Sequence, residues 1–393
     1  MTIDIAKVRA ETPGVENAIH LLACGAGLMP QPVIDAVTDH INLEAGAGGY
    51  EAEALEAERL DAVYDDVARL VGAGRREIAL LENATVAWCH AFYALAFKPG
   101  DRILTCEAEY AANYVAFLQR AKRDGIVIDV VPSDETGMLD VAALEDMIDD
   151  RVGLIAITWI PTNGGLVNPA AAVGKIARQH NIPYILDACQ AVGQMPVDVA
   201  ALGCDFLSAT GRKFLRGPRG TGFLYIREAL LDTTEPAMID HFGAPWVAAD
   251  RYELRDDARR FETWENAYAL RAGLGAAVAY ANDIGMEPIK ERAWMLADGL
   301  RARLAALPGA RVCDIGSEKC AIVSFTVEGL DDPRMIVASL RAEGIKIGTS
   351  DPDSTRLDSE ARGLADVFRA APHYYNTESE LDRLIEALAN FNR

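Results

Sequence analysis

The residues of this chain best suited to chemistry are a lysine and the glycines around it. In Thr210-Gly211-Arg212-Lys213, with Gly217-Pro218-Arg219-Gly220-Thr221-Gly222 just beyond, the glycines allow a sharply turning backbone that presents the lysine. A lysine amine whose pKa is lowered by burial or by a cationic neighbour such as Arg212 forms Schiff bases with aldehydes. The same residues also suit a basic surface loop. Asp187 closes the apolar run Tyr184-Ile185-Leu186 and opens Asp187-Ala188-Cys189-Gln190. A carboxylate at such a strand end is partly buried and needs a cationic or hydrogen-bonding partner. A protonated pyridine nitrogen would serve, and so would a helix start in need of a cap. Asn83-Ala84-Thr85 precedes a helical pattern at Val86, where free N–H groups and a hydroxyl suit a phosphate or make an ordinary N-cap. Arg369 offers a fork for a carboxylate, or half of a surface ion pair.

These residues need a frame. Short apolar runs of strand type occur at residues 77–81, 102–106, 127–131, 153–158, 184–187 and 206–208, with another at 222–226. Helical patterns at 111–124, 141–149 and 169–179 lie between them. The alternation predicts an α/β fold with a mostly parallel sheet and helices on both faces. In such sheets ligands sit beyond the carboxyl ends of the strands, where the four segments fall. After about residue 265 a long helical pattern, 267–283 and onward through 307, leads to an apolar run at 321–327 and helices at 333–343 and 378–390. This predicts a large domain over 21–265, a smaller α+β domain over 266–393, and an N-terminal arm over 1–20. The stretch 233–260 has no clear pattern and is expected to be a loop covering the pocket.

The whole-chain numbers narrow the function. A net charge of -21 in 393 residues disfavours nucleic acid and anionic membrane as partners. No basic-then-apolar leader opens the sequence, and no apolar stretch is long enough to span a bilayer. The seven cysteines are scattered without CxxC and the six histidines form no ligand pattern, so no metal is expected and a reduced cytoplasmic setting is.

Taken together and in order, these segments resemble the class V aminotransferase family of pyridoxal-phosphate enzymes, fold type I. The family includes cysteine desulfurases, selenocysteine lyases and isopenicillin-N-epimerase-like proteins. The resemblance runs from about Leu21 to Leu388 and rests most heavily on the segment from Asp205 to Gly222, with Asp187 upstream of Lys213. It implies pyridoxal 5'-phosphate held on Lys213, Asp187 paired with the pyridinium nitrogen, and Gln190 on the ring hydroxyl. It also implies a phosphate held by Ala84, Thr85, Thr210 and Arg212, although the family usually has histidine where Arg212 stands. Tyr110, in Glu109-Tyr-Ala-Ala-Asn113, lies where relatives stack a ring on the cofactor. Asn163 is expected to approach the cofactor or the substrate carboxylate, and Arg369 to bind that carboxylate. A homodimer is implied, with residues 260–266 approaching the partner's phosphate.

The resemblance leaves the reaction open. Cysteine desulfurases carry a mobile cysteine before the carboxylate arginine, whereas residues 344–368 here hold none and no cysteine follows Cys320. Glu44-Ala-Gly-Ala-Gly-Gly-Tyr50, the Lys213 segment and Pro372-His-Tyr-Tyr375 resemble the ergothioneine-pathway C–S lyase, which cleaves hercynylcysteine sulfoxide. The leading expectation is therefore a C–S β-lyase acting on a cysteine conjugate or sulfoxide, releasing aminoacrylate that hydrolyses to pyruvate and ammonia. An amino-acid epimerase or racemase, an aminotransferase, and a catalytically silent pyridoxal-phosphate-fold binding protein are the alternatives.

Overall fold

The computed structural model describes residues 3–391. Its centre is a seven-stranded sheet of β1 (Ile78–Leu81), β2 (Arg102–Cys106), β3 (Val127–Val131), β4 (Val152–Thr158), β5 (Tyr184–Asp187), β6 (Phe206–Thr210) and β7 (Gly222–Ile226), in the order β1-β7-β6-β5-β4-β2-β3. Only β7 runs against its neighbours. The central strands read as unbroken apolar runs because both faces are covered. Tyr184 and Leu186 enter one core cluster while Ile185 enters the other, and Leu207 and Phe206 divide in the same way. The expected strands are all present, with ends displaced by a residue or two.

Helices α1 (Ala84–Ala94) and α2 (Ala111–Asp124) supply Trp88, Phe92 and Phe117 to the second cluster. α3 (Ala170–His180) packs on the other face through Val173, Ile176 and Ala177. The registers Thr158↔Asp187 and Asp187↔Ser208 put three polar residues abreast at the carboxyl edge.

A second, antiparallel sheet holds β8 (Ala310–Val312), β9 (Val323–Val327), β10 (Gly348–Ser350) and β11 (Val367–Ala370), in the order β8-β9-β11-β10. The helical pattern read as continuous from 267 to 307 is two helices, α4 (Tyr268–Ile284) and α5 (Met286–Ala306). Gly285 between them has φ +92°, outside helical geometry, and that breaks the run. Within the unread stretch, Trp246–Ala248 and Arg251–Tyr252 form a small exposed antiparallel pair. The N-terminal arm is tied down: Ile19–His20 pairs with Ile345–Lys346, and Arg9 bonds the Tyr375 carbonyl and Glu380. Among the described residues no helix is long and apolar enough to cross a membrane.

Candidate active site

Five loops at the carboxyl edge of the large sheet, those after β1, β2, β4, β5 and β6, come together with the strand β11 of the small one. After β1, Asn83 caps α1 by accepting from Val86 N–H at 2.9 Å. The N–H groups of Ala84 and Thr85 are left without an acceptor among the described residues, as the first turn of a helix requires. This turn lies directly over β7, where Gly222 pairs with both Leu81 and Thr210. A Cβ on Gly222 would sit 2.6 Å from the Ala209 carbonyl and 2.8 Å from the Asn83 carbonyl carbon, so only glycine allows the approach. Thr210 donates to the Thr221 carbonyl at 3.2 Å. The result is a cradle of free N–H groups at a helix start, with the Thr85 hydroxyl beside them and the Thr210 hydroxyl able to turn from the Thr221 carbonyl toward an anion, which suits a phosphate.

Asp187 is buried at the end of β5. One oxygen accepts from Cys189 N–H and the other from the Asn113 amide, each at 2.9 Å. The same Asn113 nitrogen donates to Glu109 at 2.8 Å. Glu109 also accepts from Thr105, both groups of Thr158, and Tyr110 N–H. Burial pushes its carboxyl up to about 7, with Asp187 adding to the rise, while the converging donors oppose it. Sequence reasoning assigned neither Glu109 nor Asn113 a role. Their spacing of i and i+4 across the start of α2 was the available signal, but the link to Asp187 crosses 74 residues of chain.

Lys213 is 9% exposed. Burial pushes the Cys189 thiol up to about 11, with the positive charge of Lys213 opposing the rise. Gly27 fits over the lysine backbone because a Cβ there would lie 2.6 Å from the Lys213 carbonyl. Three residues on, Arg216 is buried at φ +63° and bonds Leu28 O, Tyr374 and Thr12. It fastens the lysine loop to the N-terminal arm and to the chain beyond β11.

Tyr110 precedes α2 and is 37% exposed. Burial raises its hydroxyl first, followed by Cys189 and Asp187, while Arg212 and Arg369 act in the other direction. One hydroxyl thus senses four of the site's groups. Gln190 donates to the Cys24 carbonyl at 3.2 Å and approaches Thr162 at 3.5 Å, and its own buried Oε1 has no partner. Arg369 donates to the Thr162 carbonyl at 2.6 Å and to its hydroxyl, leaving its buried Nε unpartnered. Arg212 reaches the Gly25 carbonyl.

Asn163 departs from expectation. Its amide is buried against Asp358 at 2.7 Å, and Thr162 is the residue turned toward Arg369 and Gln190. His373 is a structural residue, with Nε2 at 2.7 Å from the Phe214 carbonyl and burial lowering its pKa to about 3.

The class-V aminotransferase family description matches residues 19–384. The chain belongs to that family. A probable cysteine desulfurase from Xylella fastidiosa is 32% identical over 367 residues, covering 91% of this chain and 87% of that protein. Another, from Methanothermobacter thermautotrophicus, is 29% identical over 388 residues, covering 97% and 96%. Among solved structures, the apo cysteine desulfurase of Thermococcus onnurineus NA1 aligns with TM-score 0.91 and 26% identity, over 99% of this chain and 98% of that one. The fold is therefore that of the cysteine desulfurase structures, and the cofactor is the family's pyridoxal 5'-phosphate. The residues present fit this group: a helix-start cradle that glycine keeps open, an unpartnered Gln190 Oε1 and a buried lysine all lie at the same sheet edge.

Proposed function

We propose that this class V enzyme is a C–S β-lyase acting on a cysteine-derived amino acid, a conjugate or its sulfoxide. The observation that carries the reading is a thiol missing where sulfur delivery needs one. Between α5 and Arg369 the chain passes through β8, β9, a helix at Pro333–Ala342, β10 and a helix at Arg356–Ala361, and from residue 321 onward it contains no cysteine. A C–S lyase needs no such acceptor, because the sulfur leaves with its own substituent.

The cofactor supplies an electron sink for the charge that develops at the substrate Cα. In this reading the Ala84 and Thr85 N–H groups with Thr210 bind its phosphate, Asp187 faces its ring nitrogen, Gln190 its ring hydroxyl, and Tyr110 covers the ring. Arg369 grips the α-carboxylate through its fork while Thr162 holds the guanidinium in place. Lys213 Nζ takes the Cα proton and returns it to the leaving sulfur. The Cβ–S bond breaks and one water is consumed overall, so products are a thiol, or a sulfenic acid from a sulfoxide, with pyruvate and ammonia. A homodimer belongs to the same reading: Tyr50 and Trp264 stand 77% and 49% exposed at a shared cleft, which a second copy would cover.

The test is product analysis with the loaded protein and S-substituted cysteines or their sulfoxides. Stoichiometric pyruvate and ammonia are expected. Alanine with protein-bound sulfur would assign a desulfurase instead. Exchange of the Cα hydrogen with solvent without substrate loss would assign an epimerase, and turnover only with an added keto acid would assign an aminotransferase.

A further inference from the structure

The loop after β4 leaves the large sheet and is fastened, residue after residue, to the chain that builds the small one. Thr162 offers its carbonyl and its hydroxyl to Arg369 of β11. Asn163 donates its amide to Asp358, on the helix Arg356–Ala361, at 2.7 Å. Both of these side chains are buried, and Asp358 also accepts from Arg362 at 3.1 Å. Gly165 N–H donates to Asp314 at 3.0 Å, and its carbonyl accepts from Cys320 N–H at 2.8 Å. Asp314 is fixed in turn by Arg301 and Ser324. A Cβ on Gly164 would lie 2.9 Å from the Ser324 hydroxyl, and one on Gly165 2.5 Å from the Arg301 guanidinium, so only glycines let the two parts close this tightly.

Of these ties, the one at Asn163 bears on the posture of Arg369. Thr162 lies between Pro161, whose ring fixes its own φ, and the anchored Asn163. Immediately beyond, the two glycines leave the backbone free to turn unless something holds it. The bond from Asn163 to Asp358 supplies that hold next to Thr162, and Thr162 is what the Arg369 guanidinium rests on. A buried amide on a buried carboxylate is a charge-assisted bond, the strong kind.

We propose that Asp358 is a positioning residue for the substrate α-carboxylate: through Asn163 it aims Thr162, and Thr162 holds the Arg369 fork ready. Asp358 itself touches no substrate. The inference rests on the amino-acid reading of the site given above, in which Arg369 takes the carboxylate. Without the Asn163–Asp358 bond Thr162 turns away, and Arg369 must be ordered anew each time a ligand binds. That cost falls only on ligands with an α-carboxylate, because a ligand lacking the group makes no use of Arg369.

The experiment compares L-alanine with ethylamine, which differ only in the α-carboxylate, on the cofactor-loaded protein. Affinity is read by titrating the absorption of the bound cofactor. The wild type is expected to favour alanine by about 10- to 100-fold, the range for a hydrogen bond to a charged group, and Arg369→Gln should abolish the preference. Asp358→Ala should lower the preference by about 10-fold, with affinity for ethylamine and for pyridoxal phosphate unchanged. Added to Arg369→Gln it should cost nothing more, because both changes act on one interaction. Asn163→Ala, which leaves the Asp358–Arg362 pair intact, should reproduce the fall. Asp358→Ser, which refills part of the space, serves should Asp358→Ala not fold. A preference that survives loss of Asp358, a fall shared equally by alanine and ethylamine, or losses that add in the double variant overturns the proposal. A fall with Asn163→Ala alone also overturns it and gives Asn163 a direct contact with the carboxylate. A wild type that takes both ligands alike, or a preference intact in Arg369→Gln, refutes the carboxylate role of Arg369 and the proposal with it. Dependence on Arg369 without dependence on Asp358 refutes the proposal alone, so the two failures are distinguishable.

Discussion

The two ends of this site are finished to different degrees. Around Asp187 both carboxylates are partnered within the chain, with only the neighbouring Ser208 hydroxyl left over: Asn113 bridges Asp187 and Glu109, and Thr105, Thr158 and Tyr110 also donate to Glu109. Around Arg369 the opposite holds, with Nε of Arg369 and Oε1 of Gln190 buried and unpartnered and Arg212 resting on a carbonyl. Buried polar groups left unmatched are costly, so where they cluster the fold is arranged for something that comes and goes. On the proposed reading, the Asp187 end holds its geometry through turnover and the Arg369 end is completed by each substrate.

The largest effect should come from the residue between the two ends. On the proposed reading Lys213→Ala removes the group that moves the Cα proton, and it is expected to lower kcat/KM by about 1000-fold or more, measured by product release at saturating cofactor. Next, Asp187→Asn attacks the preformed end. It should lower kcat by about 100-fold with little change in KM, because the loss falls on charge developing during reaction. A fall confined to KM would show that this end serves substrate binding. Arg369→Gln attacks the open end and should weaken affinity for amino acids by about 10- to 100-fold. Cofactor affinity, measured by fluorescence titration, should be unchanged.

A further effect, away from the chemistry, is one of stability. His373 is held neutral by burial, with its pKa lowered to about 3 from 6.5. Its contribution is full above pH 6.5, where the unfolded state is also neutral. It is lost as the pH falls toward 3, because the unfolded chain takes up the proton first. Between pH 6.5 and 4 the wild type should lose roughly 3 kcal/mol more than His373→Gln does, read from denaturant melts at each pH. Equal losses in the two proteins would place the imidazole in contact with water.

Much of this was legible from residue order. The strands were visible because burial on both faces makes them continuously apolar, and Asp187, Lys213 and Thr85 were visible because they stand at strand ends or beside glycines. Thr162 was not. Which member of Pro161-Thr162-Asn163 turns inward depends on the distant partners Asp358 and Arg369, which no local pattern encodes. The Glu109–Asn113–Asp187 link was hidden for the same reason. The break at Gly285 was missed because the apolar spacing continues through it, although a glycine followed closely by Pro288 marks one helix ending and the next beginning. Local pattern gave the elements and the chemically marked residues, while pairings between distant segments required the folded chain.

The central claim is that Lys213 carries the cofactor, and it can be read directly. Protein loaded with pyridoxal phosphate, reduced with borohydride and digested, should yield one modified peptide bearing the cofactor on Lys213 Nζ. Modification of another lysine with Lys213 bare, or no fixed cofactor at all, would contradict the account.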